Sequence, residues 1–372
     1  MSKIEELIKE LCPEGVEYKK LGEVVKTITT GKLNANAMSE NGQYPFFTCD
    51  SKPFRIDNYA FDEEAILISG NGSQVGHVNY YKGKFNAYQR TYVLYNFSNI
   101  SSRFLLHYFK AYLRKYIFIH FKKGSIPYIT LPMLQNFEIP VPPLAVQEEI
   151  VRILDNFTEL TAELTAELTA ELTARKKQYE YYRDELLKFD DGVEYKKLGE
   201  VVKISKGKQL NKESLLNDGY PVINGGISPS GFWNDFNCEA NTITISQGGA
   251  SAGYVNFVTT PFWAGAHCYL IQNTYLDLNY RYLYHFIKMN ENKLMECQHG
   301  AGIPALATKV IYDLEIPVPP LEEQERIVSI LDKFDAYCND ITQGLPYEIS
   351  LRQKQYEYYR DKLLTFKRKE SK

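Results

Sequence analysis

Apolar residues recur at spacings of three and four in two long segments of the chain, which is the pattern of a helix with one apolar face. In the first segment these positions include Ile150 and Leu154, and in the second they include Ile327 and Leu331. Each pattern starts directly after a cluster of prolines, which lack the amide hydrogen that a helix interior requires. The sequence therefore predicts two helices that begin just beyond these prolines.

Both apolar patterns continue into tyrosine-rich blocks, RKKQYEYYRDELLKF at 175–189 and RQKQYEYYRDKLLTF at 352–366. An unbroken helix through either block would contain about 40–45 residues and measure roughly 60–68 Å at a rise of ~1.5 Å per residue. Helices of this length are rarely stable alone in water, so we expect the two apolar faces to pair with each other.

The middle of the first helix carries the repeated tetrapeptide TELTAELTAELTAELTA at 158–174. Alanine, glutamate and leucine favour helix, and neither glycine nor proline interrupts the run, so a rigid rod is favoured over a flexible linker. Each four-residue copy would lengthen such a rod by about 6 Å and turn it by about 40° beyond a full turn. The corresponding part of the second helix contains Gly344 and Pro346, which predict a break or a kink there.

Three pairs of blocks repeat along the chain at one constant offset of 177 residues. The segment GVEYKKLGEVVK occurs unchanged at 15–26 and 192–203, and the segment at 137–157 returns as a close copy at 314–334. The sequences between these blocks differ strongly. The chain therefore contains an internal repeat of the same structural segments, and each copy encloses a different insert.

Each insert has short β-branched or aromatic runs separated by glycine-rich turns, followed by a helical stretch, and is predicted to be mixed α/β. The strand runs are 65–69 and 89–95 in the first insert and 242–246 and 268–272 in the second, and the helical stretches are 102–116 and 279–290. The predicted organisation is an N-terminal segment at 1–26, a first insert domain at 27–136, a central helix at 137–191, a second insert domain at 192–313 and a C-terminal helix at 314–372.

Composition changes this picture little. The 372 residues are 44% hydrophobic and 24% charged, typical of a folded soluble protein, and no apolar run is long enough to span a membrane. The N-terminus reads as a short amphipathic helix without the apolar core of a signal peptide, and the six cysteines lack metal-binding spacing, so reduced thiols and a cytoplasmic location are expected. Residues 27–136 carry a net charge of +6 and residues 204–313 a net charge of −1. A basic surface that meets phosphate is thus favoured only in the first insert.

The chain resembles the specificity subunits of type I restriction–modification systems. The resemblance rests on the paired IPVPPL-x-x-Q-E-x-I blocks, the Ser-Ile-Pro and Gly-Ile-Pro turns before them, the QKQYEYYRD-x-LL ends and the TAEL run, which together cover the whole chain. It implies an α+β fold with an internal pseudo-two-fold repeat. Two similar mixed α/β target recognition domains would be separated by two long antiparallel helices that form a coiled-coil spacer.

The resemblance also implies a function and partners. Each insert would read one half of an asymmetric bipartite sequence in double-stranded DNA, and the repeated helices would dock two methyltransferase subunits and, through them, restriction subunits. S-adenosylmethionine, ATP and Mg²⁺ are expected on those partners rather than on this chain. Independently of the resemblance, a coiled-coil adaptor with two protein-binding α/β domains stays open as an alternative.

The sequence offers little for catalysis. It has no G-x-x-x-x-G-K-[ST] phosphate loop, no Asn-Pro-Pro-Tyr or Asp-Pro-Pro-Tyr stretch and no metal spacing among its histidines, so a subunit without catalytic or metal residues is predicted. His107 and His285 lie in helical patterns and are interpreted as packing residues.

Candidate base-reading residues are the polar and aromatic side chains of the insert loops, because such groups address base edges. In the first insert they are Lys32, Asn34, Asn36, Asn71, Ser73, Gln74, Gln89, Arg90, Lys122, Lys123 and Tyr128. In the second they are Lys206, Lys208, Gln209, Asn211, Gln247, Ser251, Tyr254, His267, Gln298 and His299. Ile150, Leu154, Ile327 and Leu331 are predicted to lie where the helices pair or where a partner subunit docks.

Overall fold

The computed structural model describes residues 3–120, 127–190, 192–299, 304–339 and 344–370. The chain forms two compact units, Met1–Glu167 with Ser350–Lys372, and Leu168–Ile349. Each unit therefore contains one insert and parts of the long helices. The domain borders drawn from the sequence stay a prediction. None of the helices in the described part combines the length and the hydropathy that a membrane span requires.

The first unit is a sheet domain with helices packed on one face. Four of its strands pair antiparallel with their neighbours in the order β2-β7-β5-β6, and β3 joins β6 in parallel before β4 completes the edge. Its elements are α1 Lys3–Leu11, β1 Tyr18–Lys20, α2 Leu21–Val24, β2 Val25–Thr30, β3 Tyr44–Phe47, β4 Phe54–Ile56, β5 Phe61–Ser69, β6 Val78–Ala87, β7 Thr91–Phe97, α3 Ser102–His120, α4 Leu131–Gln135 and β8 Glu138–Pro140.

The side chains of strand β5 show that both faces of this sheet carry a cluster of buried apolar residues. Residues 65–69 form a continuous buried run. Ile66 and Ile68 belong to the core that includes α3, whereas Ala65 and Leu67 belong to a second apolar cluster on the opposite face. The alternation of side chains along a strand thus sends one set of apolar residues to each face.

The second unit repeats this arrangement with one interruption. β13 pairs with β14 and β16 as β5 pairs with β6 and β7, but the counterpart of the long β6 is split by Pro261, which cannot donate to a sheet ladder. Its elements are β9 Glu194–Lys197, α6 Leu198–Val201, β10 Val202–Lys206, β11 Tyr220–Ile223, β12 Phe232–Trp233, β13 Thr242–Ser246, β14 Val255–Val258, β15 Trp263–Ala264, β16 Cys268–Asn273, α7 Tyr280–Met289, α8 Glu291–Glu296, α9 Thr308–Tyr312 and β17 Glu315–Val318.

The long helices agree with the sequence prediction. α5 is one continuous helix, Leu144–Leu186, of 43 residues, and the whole TAEL run lies inside it. The second helix is divided into α10, Leu321–Asn339, and α11, Leu345–Leu364. The predicted interruption is thereby confirmed, with Gly344 and Pro346 at the start of α11 and residues 340–343 outside the described part.

The long helices pair antiparallel within each unit. In the first unit the Phe157 and Tyr359 rings lie 5.8 Å apart, and the Thr158 hydroxyl lies 3.1 Å from the hydroxyl of Tyr356. In the second unit the ring of Phe334 on α10 stacks on the ring of Tyr182 on α5, with the ring centres 5.7 Å apart. The long helices thus contact each other as predicted. The apolar positions Ile150, Leu154, Ile327 and Leu331 instead face the insert domains.

Residues near the C-terminus complete the first unit. The Val16 N–H donates to the Lys367 carbonyl (2.8 Å), and the Arg368 guanidinium forms an ion pair with Glu138 (2.7 Å). The Tyr18 hydroxyl donates to the Phe366 carbonyl (3.2 Å). The equivalent residues of the second copy, 177 positions away, make the same bond: the Tyr195 hydroxyl donates to the Phe189 carbonyl (3.0 Å). The residues that follow α11 thus contact the first copy of the repeated segment in the same way as the residues that follow α5 contact the second copy.

The glutamine of each PPL-x-x-Q-E block holds its insert domain to a long helix. Gln147 is fully buried; its carboxamide accepts from the Ser101 N–H (2.7 Å) and donates to the Asn99 carbonyl (3.1 Å). Gln324 is also fully buried and accepts from the Asn279 N–H (2.8 Å). A buried amide requires partners for its polar atoms, which explains the glutamine in both copies of the motif.

A second repeated contact joins each insert helix to a long helix through an Arg-x-x-x-His pair. On α7, His285 bonds to Asp332 (2.7 Å) and Arg281 forms an ion pair with the same carboxylate (2.7 Å). On α3, His107 bonds to Asp155 in the same way (2.8 Å). Both histidines are buried, as predicted. Each also joins its insert helix to a long helix through a hydrogen bond to an aspartate, which the sequence interpretation missed, and we call these two contacts the clamps. The i, i+4 spacing of Arg and His on both insert helices was the available signal.

Acidification is expected to weaken both clamps. Burial lowers the pKa of His107 and of His285 below the usual histidine value, despite the neighbouring aspartates, which raise it. The unfolded chain therefore binds more protons than the folded chain as the pH falls through about 6.5. We expect the free energy of unfolding to fall as the pH drops below that value, as measured by urea denaturation at a series of pH values.

The double variant His107→Asn/His285→Asn is the control for this prediction. Its free energy of unfolding should depend less steeply on pH between neutral and mildly acidic conditions. An identical pH slope in the variant and the parent chain would show that the clamps do not cause the dependence.

Candidate functional site

Surface loops converge at one end of each sheet, and the same backbone bonds hold them in both units. In the first unit the Gly70 N–H donates to the Arg90 carbonyl (2.9 Å), and the Ile129 N–H donates to the Gly70 carbonyl (2.8 Å). In the second unit Gln247 takes the place of Gly70. Its backbone N–H donates to the His267 carbonyl (2.9 Å), and its backbone carbonyl accepts from the Leu306 N–H (2.8 Å). We call each set the loop cluster of its unit.

The first loop cluster comprises residues 31–34, 48–50, 70–76, 88–90 and 127–130, and the second comprises residues 207–211, 224–226, 247–253, 265–267 and 304–306 with His299. In each cluster the first loop contains a glycine whose backbone packs directly against the backbone of a neighbouring strand. A Cβ on Gly31 would lie 1.8 Å from the Ala87 carbonyl oxygen, and one on Gly207 would lie 2.2 Å from the Ala264 oxygen. Only glycine permits these approaches without displacing backbone.

The structure brings most candidates of the first insert together. The Gln89 carboxamide donates to Asn34 Oδ1 (2.8 Å), and both side chains are exposed. Arg90 is exposed beside them, and Asn71 forms a β-bridge with Tyr128, whose side chain is 52% exposed. Amide, guanidinium and phenol groups thus share one surface, and these are groups that hydrogen-bond to base edges.

The remaining candidates of the first insert lie around this surface or outside the described residues. Lys32, Asn36, Ser73 and Gln74 are exposed on the same loops or on the short 3₁₀ turn that comes after residue 34. The predictions for Lys122 and Lys123 fall outside the residues that the structure describes.

The second loop cluster presents different chemistry on the same backbone. His267 and His299 are exposed, and Lys208, Gln209 and Asn211 are exposed on the first loop, whereas Gln247 and Ser251 are half-buried. The β-bridge that Asn71 and Tyr128 form in the first unit is made here by Gly248 and Ala305. The two clusters therefore share a frame but differ in the side chains at equivalent positions.

Three candidates of the second insert are engaged in packing. The Lys288 ammonium lies 4.6 Å from the centre of the Tyr254 ring, and the Gln298 amide donates to the Ala252 carbonyl (2.7 Å). The ammonium of Lys206 lies 5.6 Å from the centre of the Tyr269 ring. These contacts engage the three side chains within the unit, which a sequence pattern does not reveal.

Two residues of the clusters were missed by the sequence interpretation. The Cys49 thiol donates to Asn71 Oδ1 (3.1 Å) and fixes that side chain. In the second unit Asn224 Oδ1 accepts from the His267 N–H (3.2 Å). Both residues come after a short strand, β3 or β11, whose last two residues are buried, and only the pairing of those strands places them in the clusters.

The net charge of +6 of the first insert overstates how basic its loop cluster is. Arg55 donates to the carbonyls of Gly42 and Gln43 (2.9 and 2.8 Å), and Arg103 forms an ion pair with Asp155 (2.9 Å). These guanidinium groups stabilise the domain itself. Lys32 and Arg90 are the exposed cations within the described part of the cluster.

The four predicted interface residues lie in the cores of the units. Ile150 and Leu154 are buried with residues of α3, and Ile327 and Leu331 are buried with residues of α7. Their side chains hold the long helices against the insert domains. Docking of a partner subunit at these positions stays a prediction.

Both halves of the sequence match one known protein family. The type I restriction modification DNA specificity domain is matched twice, over residues 13–174 and 190–351. The chain belongs to the family of type I restriction–modification specificity subunits. This confirms the resemblance drawn from the repeated blocks, and each unit contains most of one copy of the specificity domain.

Relatives with assigned names support the same conclusion. A putative type I restriction enzyme specificity subunit of Haemophilus influenzae is 34% identical over 375 residues, which cover 94% of this chain and 96% of that protein. The specificity subunit of the Escherichia coli enzyme EcoR124I/EcoR124II is 36% identical over 269 residues, or 65% of this chain and 64% of that protein. The predicted role as a DNA-specificity subunit, not itself an enzyme, is confirmed.

Solved structures share the fold at low sequence identity. A chain from a structure of the type I R-M system, solved to explain complex assembly and conformational transition, has a TM-score of 0.65 at 17% identity, covering 94% of this chain and 97% of that one. The S subunit from M. genitalium has a TM-score of 0.53 at 20% identity, covering 94% and 96%. The predicted fold of two mixed α/β domains with long helices is confirmed.

Proposed function

We propose that this specificity subunit reads an asymmetric, bipartite sequence in double-stranded DNA, one half with each loop cluster. The observation that carries the proposal is the exchange of side chains on a shared backbone, Asn71 with Tyr128 in one unit and Gly248 with Ala305 in the other. Two identical reading surfaces would suit a palindrome, whereas these two surfaces present different donors and acceptors. The target is accordingly two unlike half-sites.

The subunit is further proposed to assemble with two methyltransferase subunits and with restriction subunits. The relatives that it resembles carry the name of type I restriction enzyme specificity subunits, which supports such partners. S-adenosylmethionine, ATP and Mg²⁺ would then be bound by the partners, and the TAEL run of α5 would set the spacing between the half-sites. A cytoplasmic location is proposed as well, in keeping with six free cysteines.

Binding to duplex DNA at several salt concentrations tests the first part of the proposal. Phosphate contacts release counterions, so the affinity should fall steeply as salt increases. The variant Arg90→Ala should lower the slope of log affinity against log salt by about 0.9 if that side chain contacts one phosphate. Binding to protein partners without any salt-dependent affinity for DNA would favour the adaptor alternative instead.

Exchange of the first insert tests whether the two units read independently. Replacing residues 27–136 by the insert of another family member should change one half of the methylated target and leave the other half as it was. The identical segments 15–26 and 192–203 form the same short strand followed by a four-residue helix in both units, so the joint has a compatible backbone. The target is read from adenine methylation across a genome, and a change in both half-sites would contradict independent reading.

A further inference from the structure

A cavity of about 530 Å³ opens on the first sheet, on the face that α3 does not cover. Phe61 and Tyr95 line it, and both pack on the apolar cluster of that face rather than on the core beneath α3. Its volume lies within the range of about 300–1,000 Å³ that is usual for small-molecule sites.

The lining of this cavity combines aromatic rings with amides, hydroxyls and a cation. Asn86 is only 4% exposed; its amide donates to Asn58 Oδ1 (2.9 Å), and its own Oδ1 accepts from the Ala87 N–H (2.9 Å). Tyr59 adds a ring that is 45% exposed, and Lys32 adds a positive charge. Rings that stack on a base, amides that hydrogen-bond its edge and a cation for its phosphate are the groups that bind nucleotides.

The second unit shows what size of group fits this place. Asn86 lies on β6 opposite Phe46, and its equivalent on β15 is Trp263, which lies opposite Val222 in the same parallel pairing. The Trp263 indole N–H donates to the Lys208 carbonyl (3.2 Å). Thr30 pairs with Tyr92 as Lys206 pairs with Tyr269, so Lys208, two residues after Lys206, corresponds by strand register to Lys32. Lys32 lines the cavity in the first unit. The second unit thus places its own half-buried bicyclic ring beside the carbonyl that is equivalent to that of Lys32.

The exchange between asparagine and tryptophan also has a local cause. In the second unit the carboxamide of Asn237 accepts from the Ala264 N–H (2.6 Å) and donates to the Ala264 carbonyl (3.1 Å). In the first unit the bond to the equivalent N–H of Ala87 is made by Asn86 itself. Because another residue satisfies this backbone group in the second unit, the position there is available to an indole.

We propose that the cavity of the first unit binds a purine base, the bicyclic heteroaromatic group nearest in shape to the indole that occupies the second unit. A donor on the purine would meet the Lys32 carbonyl as the indole N–H meets that of Lys208, and its faces would lie against aromatic rings. The base could come from a free nucleotide or from a nucleotide turned out of bound DNA; the latter source rests on the proposed function.

Fluorescence titration of the full chain with 2-aminopurine riboside tests the proposal. The parent chain should show saturable binding at one site, with competition by adenosine and not by an equal concentration of cytidine. The variant Asn86→Trp, which copies the plug of the second unit, should weaken this binding at least tenfold. Absence of saturable binding to the parent chain, or unchanged binding by the variant, would overturn the proposal.

The reciprocal variant Trp263→Asn keeps the test decisive if Asn86→Trp does not fold. It should open the equivalent place in the second unit and add a second binding site for the riboside. A stoichiometry that stays at one, in a variant whose thermal unfolding is cooperative, would contradict the shape argument.

The source of the base is decided by adding target duplex to the chain with bound riboside. Displacement of the riboside indicates a base supplied by DNA, and simultaneous binding of both indicates a free nucleotide; either result is compatible with the site. If the base is a free nucleotide, the Asn86→Trp variant should keep the affinity of the parent chain for duplex DNA, and if DNA supplies the base, the variant should bind duplex DNA more weakly. Riboside binding by a chain that has no affinity for DNA would refute the proposed DNA recognition while leaving the purine site intact.

Discussion

Leu154→Asp is expected to unfold the first unit or to abolish its assembly with partners, with loss of methylation at every sequence. Leu154 is 1% exposed and lies in the core formed with α3 and the end of α11, where Phe104 and Leu364 are also buried. The substitution removes apolar contacts that are worth about 2–5 kcal/mol and adds a buried carboxylate without a partner. That sum is comparable with the whole stability of a typical domain, about 5–15 kcal/mol.

The measurement is urea denaturation of the chain alone, combined with size-exclusion chromatography with its partners. Leu160→Asp is the matched control, because the same side chain on the same helix is 62% exposed there. That variant should change the free energy of unfolding by no more than about 0.5 kcal/mol. Normal stability and assembly of Leu154→Asp would show that this face of α5 is wrongly assigned.

Deletion of residues 165–168 is expected to shorten the preferred spacer between the half-sites by one base pair. These residues form one TAEL copy inside the continuous helix α5. Their removal shortens the helix by about 6 Å and rotates its C-terminal part by about 40° relative to its N-terminal part. One base pair of B-DNA rises about 3.4 Å and turns about 34–36°. The rotation corresponds to one base pair, and a reading surface must face its groove at the correct angle.

Methylation of a target series with varied spacer length measures this effect, and both half-sites should stay unchanged. A length-preserving variant, Thr165→Ala with Glu167→Gln, serves as the control and should retain the parental spacer. If the deletion variant prefers the parental spacer as well, the TAEL run is not a ruler. The break between α10 and α11 is the place where a change in length could be absorbed.

Local sequence determined the long helices and their interruption. In α5 the TAEL residues favour helix by themselves and contain no helix breaker, so the continuous helix could be predicted without knowledge of its neighbours. Gly344 and Pro346 act through backbone conformation alone, and the second long helix is interrupted before α11, as predicted. The same holds for the repeated segment at 15–26 and 192–203, which forms the same short strand and four-residue helix in both units.

The polar contacts between elements could not be predicted in this way. Arg281 and His285 stand four residues apart on α7, but their partner Asp332 lies on α10, about fifty residues further along the chain. Spacing showed that the two side chains share a helix face, not that a carboxylate meets that face. For the same reason Tyr254 and Gln298 were included among loop candidates although both are held in packing contacts.

The sequence by itself determined that one frame is used twice, because a constant offset and identical blocks impose the same backbone interactions wherever they recur. Only the tertiary structure decided how the two copies differ at equivalent places. The closure of the first unit by the residues around Lys367 and the open cavity beside Asn86, where the second unit has Trp263, both depend on strand pairing between distant segments. Such pairing is set by the burial of whole faces of the sheet, a property that no single stretch of sequence contains.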